Sequence, residues 1–388
     1  MKKYIQPFLY IISLIACCIE VDISVSSFPA LVKCFQTTES LAQHTVSINF
    51  LGFFISALIV GPLSDAYGRR PVMITGNAIL MIGACMCVWA PTISALLLAR
   101  LIQGIGAATS AVIVFTMIAD TYKSTKATQL IGIMNCVFTC LMAASPIIGS
   151  YVNEVFGWRS TYAIVAIICI ISWLSLTLAL SETQPFKKSF KSKEVFFNIL
   201  SLLKSKTFLQ TSITPSLLYG AYLSFITSAS FLYMQTFKLP MCLYAIHQAT
   251  IVGVFALISL FSAKILKFIG ALKCVHIGIS LSVSGTLAFL CVSLLCPTPA
   301  LTTITVSAFT IGSALFYPVV FTSSLEIFPN IKGSATSLIM AKRAIIIAIA
   351  TWITGNFYNG SPTNIAIIMV ITVTCAFILS FKILKKFK

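Results

Sequence analysis

The sequence contains few charged residues. Only 9% of its 388 residues are charged and only nine are acidic, whereas 58% are hydrophobic. A soluble domain carries about 25% charged residues, so this chain cannot cover a surface that faces water. The composition therefore excludes a soluble enzyme, a disordered protein and a soluble nucleic-acid-binding protein, and it indicates a protein of the lipid bilayer.

The sequence also lacks clusters of metal-ligating or nucleophilic residues. Its three histidines are isolated, and no group of cysteine and histidine has the spacing of a metal site. We therefore expect no metal, no cofactor and no enzymatic activity. Most of the thirteen cysteines lie in apolar runs, where cysteine acts as a small hydrophobic residue. The sequence leaves open a disulfide among Cys34, Cys242 and Cys296.

Long apolar runs account for most of the chain. A transmembrane helix needs about 20 apolar residues. The runs predict twelve such helices, at residues 6–30, 45–63, 72–90, 95–118, 129–152, 161–181, 210–236, 245–263, 274–295, 301–325, 335–358 and 364–382. The longest loop lies at the midpoint. The prediction is an all-α membrane protein with twelve transmembrane helices in two six-helix halves, residues 1–181 and 210–388, joined by a cytoplasmic linker, residues 182–209.

The distribution of basic residues predicts the orientation. With a cytoplasmic amino terminus, 22 of the 26 lysines and arginines lie on the cytoplasmic side, as the positive-inside rule requires. This count places Lys342 and Arg343 in the first turns of the eleventh span. The four that remain are Lys33, Arg100, Arg159 and Lys238. Both termini are thus expected in the cytoplasm, and the net charge of +17 is explained by anchoring to anionic lipid rather than by nucleic-acid binding.

The central linker has two interpretations. Its six lysines are interleaved with Phe186, Phe190, Phe196 and Phe197. This pattern is typical of an amphipathic helix on the membrane surface, and a solvated linker is the alternative.

Two acidic residues, Glu20 and Asp22, fall inside the first span. A carboxyl group at this depth is costly and usually serves a function. Because the two are two positions apart, they point to nearly opposite faces of a helix. Glu20 shares its face with Ser13, Ser24 and Ser27, so the periodicity favours Glu20 as the residue that faces an aqueous cavity.

Arg100 is the only arginine predicted well inside a span. Gln103 lies on the same helix face, and Gly104 follows it, where a small residue lets helices approach closely. Arg100 is expected to pair with an acid of the first span or to help move its proton. Snorkelling of its side chain to the outer interface is the alternative.

One loop carries the clearest family resemblance. Residues 61–71, GPLSDAYGRRP, lie between the second and third spans and closely resemble the signature loop of the major facilitator superfamily. The resemblance implies that the loop latches the two halves together at the cytoplasmic side. The matching residues are Gly61, Asp65, Gly68, Arg69 and Arg70. Ala66 stands where the family usually has a basic residue.

Three further segments resemble motifs of proton-driven exporters in this superfamily. Residues 98–104, LARLIQG, resemble the fourth-span motif, whose arginine is linked to proton transfer, and residues 144–150, ASPIIGS, resemble the fifth-span antiporter motif with Pro146 and Gly149. Residues 22–29, DISVSSFP, resemble the first span of drug–proton antiporters of the bicyclomycin/chloramphenicol-resistance type. This resemblance favours Asp22, so both acids remain candidates, with Asp22 first.

The resemblance implies a proton-coupled secondary transporter that exports small hydrophobic or cationic molecules by alternating access. Its expected partners are a small-molecule substrate, protons and membrane lipid, and its expected location is the inner membrane of a bacterium, as a monomer. Gln103, Tyr219, Tyr222 and Phe225 are the candidate lining residues of the substrate cavity. The alternative function is transport of one endogenous metabolite or nutrient, including uptake by symport.

Overall fold

The computed structural model describes residues 2–122, 124–184, 192–328 and 331–384, and helices make up almost all of them. The helices are α1 (Lys2–Val25), α2 (Phe28–Phe35), α3 (Glu39–Tyr67), α4 (Arg69–Val88), α5 (Ile93–Thr121), α6 (Ser124–Phe156), α7 (Trp158–Ala179), α8 (Ser192–Lys204), α9 (Lys206–Phe231), α10 (Met241–Ile269), α11 (Ala271–Leu295), α12 (Pro299–Glu326), α13 (Lys332–Phe357) and α14 (Pro362–Leu384). A π-helical turn, Leu232–Thr236, extends α9.

Eleven helices in the described part of the chain are long and apolar enough to cross a membrane. They coincide with eleven of the predicted spans. The remaining predicted span, 129–152, lies within α6, which is 33 residues long. The predicted fold class, an all-α membrane protein with this arrangement of spans, is confirmed.

The first span is interrupted. It was expected to run through residues 6–30, but α1 ends at Val25 and α2 begins at Phe28. Pro29, in the first turn of α2, has no N–H to donate to a continuing helix. Before it, the Ser26 hydroxyl donates to the Ile23 carbonyl oxygen at 2.9 Å, and the Ser27 N–H donates to the Ser24 carbonyl oxygen at 3.0 Å. The interruption places Asp22 in the last turn of α1.

The helices of each half pack closely on one another. In the first half, α1–α7, helices α3 and α5 approach so tightly that a Cβ on Gly104 would overlap the Asn49 carbonyl oxygen. This is the close approach expected of the small residues after Arg100. The second half consists of α9–α14. The two halves meet mainly where α13 packs on α3 and where α10 packs on α6.

The central linker contributes a short helix. In α8, Leu202 is buried against Ala335 and Leu338 of α13. The lysines at 187, 188 and 191 lie outside the described residues, so contact of this linker with a membrane surface stays a prediction. We call the end of the bundle that carries the start of α1 and the loop at Gly68 the basic end, and the opposite end the far end.

Polar side chains join the two halves at the far end. The hydroxyl oxygens of Ser47 and Thr351 are 2.8 Å apart. The Ser228 hydroxyl donates to Gln43 Oε1 at 3.1 Å. These contacts, with the α3–α13 packing beside them, join the halves at the far end.

Removing one of these contacts is expected to open the far end more often. A neutral hydrogen bond contributes about 0.5–1.5 kcal/mol net, so Ser47→Ala should raise the open population roughly two- to tenfold. The measurement is amide hydrogen exchange at residues 39–47 and 351–357. Ser284→Ala is the control, because the Ser284 hydroxyl is exposed and its one hydrogen bond among the described residues goes to the Leu281 carbonyl of its own helix. Equal exchange in the two variants would contradict this role for Ser47.

Candidate functional site

A buried ion pair lies inside the first half. Arg100 Nη1 on α5 is 3.3 Å from Glu20 Oε2 on α1, and the two side chains are 0% and 2% exposed. The Asn49 amide nitrogen on α3 lies 3.3 and 3.2 Å from the two carboxylate oxygens of Glu20. Three helices therefore meet at this pair. Arg100 pairs with a first-span acid, as one of its two predicted roles requires, and that acid is Glu20.

Gln103 belongs to the same cluster. It lies one turn beyond Arg100 and its Oε1 accepts a hydrogen bond from Arg100 Nη1 at 2.7 Å. The Cys87 thiol on α4 is 3.5 Å from the same oxygen. Gln103 is fully buried. The structure thus places this candidate cavity residue beside Arg100 in the first half, apart from the tyrosines of α9.

Asp22 has a different environment from Glu20. It is 8% exposed, and no hydrogen bond or ion pair of its carboxyl group is present among the described residues. Three tyrosines of the second half lie within electrostatic reach of this carboxyl group: Tyr219 and Tyr222 on α9 and Tyr244 on α10. Asp22 therefore lies where the two halves face each other.

The aromatic residues predicted to line a cavity separate into two groups. The rings of Tyr219 and Tyr222 are 5.8 Å apart, and Tyr222 stacks on Phe255 at 6.4 Å. The Tyr222 hydroxyl is buried and has no hydrogen-bond partner among the described residues. Phe225 instead packs edge-on against Phe289 at 5.8 Å in the core of the second half. Tyr219 and Tyr222 thus lie within electrostatic reach of Asp22, whereas the described ring contacts of Phe225 are with aromatic residues of the second half.

Lys342 and Arg343 lie deeper in α13 than the sequence predicts. Arg343 does not lie in the first turns of the helix, because α13 begins at Lys332 and eleven residues of helix separate the two by about 16 Å. Lys342 precedes Arg343 and lies as deep. The predicted span 335–358 contains both residues, so the apolar run alone indicates that they lie inside the membrane. The count of basic residues per side instead assigned them to the cytoplasmic end of that span.

Arg343 faces aromatic side chains of the second half. Its Nη1 donates to the Tyr317 hydroxyl at 3.0 Å, and its guanidinium carbon is 5.3 Å from the centre of the Tyr219 ring. Lys342 points elsewhere: its ammonium group donates to the Ser212 hydroxyl and lies 4.3 Å from the centre of the Phe208 ring. Tyr219 is therefore close to charges of both signs, Asp22 and Arg343.

The fifth-span motif packs on the interruption of the first span. A Cβ on Gly149 of α6 would come too close to the Ile23 carbonyl oxygen and the Ser26 hydroxyl. The Asn153 amide donates to the Ser26 carbonyl at 3.2 Å. Helix α6 runs through Pro146 without a break. The motif thus supports the backbone that directly follows Asp22.

The signature loop is held by ionic contacts at the basic end. Arg69 Nη1 is 2.6 Å from Asp65 Oδ1, and Arg69 Nε is 3.1 Å from Asp120 Oδ2 at the end of α5. Gly68 separates α3 from α4 with φ at +103°, a conformation that other residues rarely adopt. Gly61 accepts a 2.8 Å hydrogen bond from the Ser64 hydroxyl.

Glu182 completes the structure of this loop. Its two carboxylate oxygens accept hydrogen bonds from the backbone N–H groups of Arg69 and Arg70, at 3.0 and 3.1 Å. An acid at the first N–H groups of a helix stabilises that helix. The Arg70 side chain also donates to the Leu180 carbonyl at 2.8 Å. These contacts lie within the first half and its junction with the linker, and a latch between the halves stays a prediction.

The three cysteines considered for a disulfide are unpaired. Cys34, Cys242 and Cys296 are all exposed with free thiols.

The chain matches a known family over most of its length. The family model of the Major Facilitator Superfamily matches residues 10–351. The chain belongs to this superfamily. It is therefore a multi-pass membrane transporter rather than an enzyme, and the family predicted from the signature loop is confirmed.

Relatives with similar sequences include drug transporters. The chain is 24% identical over 348 residues to the multidrug resistance protein MdtM of Escherichia coli (strain K12), covering 88% of this chain and 84% of the relative. It is 26% identical over 274 residues to MdtL of Shigella dysenteriae serotype 1, covering 68% and 69%. An uncharacterized transporter of Rickettsia bellii is 24% identical over 365 residues, covering 89% and 88%.

Solved structures of transporters share the fold. The partially occluded inward-open conformation of the xylose transporter XylE from E. coli superimposes with a TM-score of 0.77 at 13% identity, covering 98% of each chain. The human organic anion transporter MFSD10 gives a TM-score of 0.72 at 15% identity, covering 96% of this chain and 98% of that one. At these identities the likeness establishes the arrangement of helices and nothing about substrate.

Proposed function

We propose that this superfamily member is a proton-coupled exporter of small hydrophobic or cationic molecules. It works as a monomer by alternating access in the inner membrane of a bacterium, with both termini in the cytoplasm. The observation that carries the proposal is the position of Asp22: a buried carboxyl group without a described partner, between the two halves and beside tyrosines of the second half. The similarity to MdtM and MdtL supports export of drugs.

The two first-span acids take different roles in this proposal. Glu20 is held by Arg100 and Asn49, so its charge is already balanced inside the first half. Asp22 is free to bind either a proton or a cationic substrate. When it is protonated, the facing surfaces carry no negative charge at this point and the halves can rearrange around it. One site that accepts a proton or a substrate, but not both, is sufficient for exchange.

The tyrosines near Asp22 suit a substrate that is flat and cationic. A cation over an aromatic face gains about 0.5–2 kcal/mol. The Tyr219 and Tyr222 rings lie next to each other, 5.8 Å apart, within electrostatic reach of the carboxyl group. The substrate's charge would neutralise Asp22 and its apolar surface would cover the rings.

The experiment is proton movement in liposomes that contain the purified protein under an imposed pH gradient. Rhodamine 123 and tetraphenylphosphonium serve as cations, and a neutral drug serves as the comparison. We expect each cation to release protons from the side to which it is added, in proportion to its concentration. Proton flux that no drug changes, in protein shown to be folded, would contradict drug export and favour a transporter dedicated to one endogenous solute.

A further inference from the structure

The two arginines at membrane depth differ in their partners. Arg100 is paired with Glu20. Arg343 has no acidic group within ion-pair distance among the described residues, and its one described hydrogen bond goes to the neutral Tyr317 hydroxyl. A guanidinium group has five N–H donors, so most of its donors at Arg343 remain available.

An unpaired cation at this depth is costly to maintain. A charged side chain at the centre of a bilayer costs at least about 2.5–3.5 kcal/mol, and such residues mark binding or transport sites. The Arg343 side chain is half-buried where α13 faces α9 and α12.

Arg343 shares its aromatic neighbour with Asp22. The guanidinium group lies 5.3 Å from the centre of the Tyr219 ring, and Tyr317 stacks on Phe321 at 5.5 Å next to it. Tyr219 also feels the charge of Asp22 from the first half. Arg343 thus lies beside one tyrosine that is also within electrostatic reach of the Asp22 carboxyl group, and the two charged groups do not form an ion pair with each other.

We propose that Arg343 binds the carboxylate of the substrate, and that the preferred substrates are aromatic zwitterions with an amine for Asp22 and a carboxylate for Arg343. Guanidinium groups bind carboxylates through two parallel hydrogen bonds, which an ammonium group cannot reproduce. This inference rests on the proposed function and adds to it a substrate class that a site with Asp22 alone would not select.

The test compares two dyes that differ at one group. Rhodamine 110 carries a free carboxyl group, and rhodamine 123 is its methyl ester. Equilibrium binding to the purified protein in detergent is measured by fluorescence polarisation. Because loss of a charged hydrogen bond costs about tenfold in affinity, we expect rhodamine 110 to bind about tenfold more tightly than rhodamine 123. Arg343→Gln should abolish this preference, so that the variant binds the two dyes with affinities within about twofold of each other.

Two further variants keep the experiment decisive. Lys342→Gln removes a charge from the same turn of α13 but not from the Tyr219 site, so the preference should survive it. Arg343→Lys keeps the charge without the paired donors and should retain only part of the preference, which also covers a failure of Arg343→Gln to fold. Two results would overturn the inference: equal affinity of the wild-type protein for the two dyes, or an equal loss of the preference for rhodamine 110 in Lys342→Gln and Arg343→Gln.

Binding and proton flux report separately on the two proposals. If the wild-type protein binds both dyes equally and rhodamine still evokes proton flux, the proposal for zwitterionic substrates is wrong and the proposal of proton-coupled export stands. If the protein prefers the dye with the carboxyl group but no drug evokes proton flux, the proposed role of Arg343 is supported and proton-coupled export is contradicted. Absence of binding by either dye in folded protein would count against the Arg343 site.

Discussion

Asp22→Asn is expected to abolish drug-dependent proton movement and reduce it to the level of empty liposomes. Asparagine has nearly the same shape as aspartate but can neither release a proton at this position nor carry a negative charge. The site would remain permanently in its neutral state, so the exchange of a proton for a substrate would stop. The measurement is the proton flux evoked by rhodamine 123 in proteoliposomes with equal amounts of folded wild type and variant.

Glu20→Gln is the matched control for this prediction. It removes a carboxyl group two positions away on the same helix, but one that already pairs with Arg100. We expect it to retain measurable drug-dependent flux. If Asp22→Asn keeps drug-dependent proton flux and Glu20→Gln loses it, the proton carrier is Glu20. In that case the periodicity of the first span, and not the family resemblance, predicts the right residue.

Arg100→Gln is expected to lower the free energy of unfolding by about 3–5 kcal/mol, the usual cost of removing one partner of a buried ion pair. The Glu20 carboxylate would remain almost fully enclosed, with only the Asn49 amide to balance it. Uptake of a proton by Glu20 would neutralise this buried charge and bring the loss of unfolding free energy towards about 3 kcal/mol. The measurement is denaturant or thermal unfolding of the purified protein in detergent.

The double variant Glu20→Gln/Arg100→Gln separates charge from packing in this cluster. With both charges removed, two neutral amides of similar size occupy the site, and much of the lost stability should return. A double variant as unstable as the single one would show that the aliphatic part of Arg100, and not its charge, supports the junction of the three helices.

Hydropathy and charge predicted the helices of this protein well, because each helix must satisfy its backbone within the bilayer by itself. They did not predict which faces meet. The helices are apolar nearly all round, so periodicity carries little information about their neighbours. Contacts such as α13 on α3 depend on the shapes of side chains from distant parts of the chain, and these only appear in three dimensions.

The polar stripe of the first span illustrates the same limit. The periodicity predicts that this stripe faces a cavity, but its serines bond within the first half. The Ser13 hydroxyl donates to Ser110 at 2.7 Å, and the Ser27 hydroxyl lies 3.1 Å from that of Thr161. Inside a bilayer, polar side chains mark contacts between helices as readily as water-filled space. The opposite orientation of Glu20 and Asp22 was predictable from their spacing, and which of them reaches the second half was not.

The contacts at the two ends of the bundle differ in kind. At the far end the halves are joined by neutral hydroxyl and amide groups such as Ser47 and Gln43, whereas the loop at the basic end is held by carboxylates and guanidinium groups, with the Asp65 side chain 41% exposed. Mobile ions screen exposed charges over about 8–10 Å at physiological ionic strength and leave neutral hydrogen bonds almost unaffected. A higher salt concentration therefore weakens the ionic contacts that hold the signature loop. It leaves the hydrogen bonds that join the halves at the far end almost unchanged.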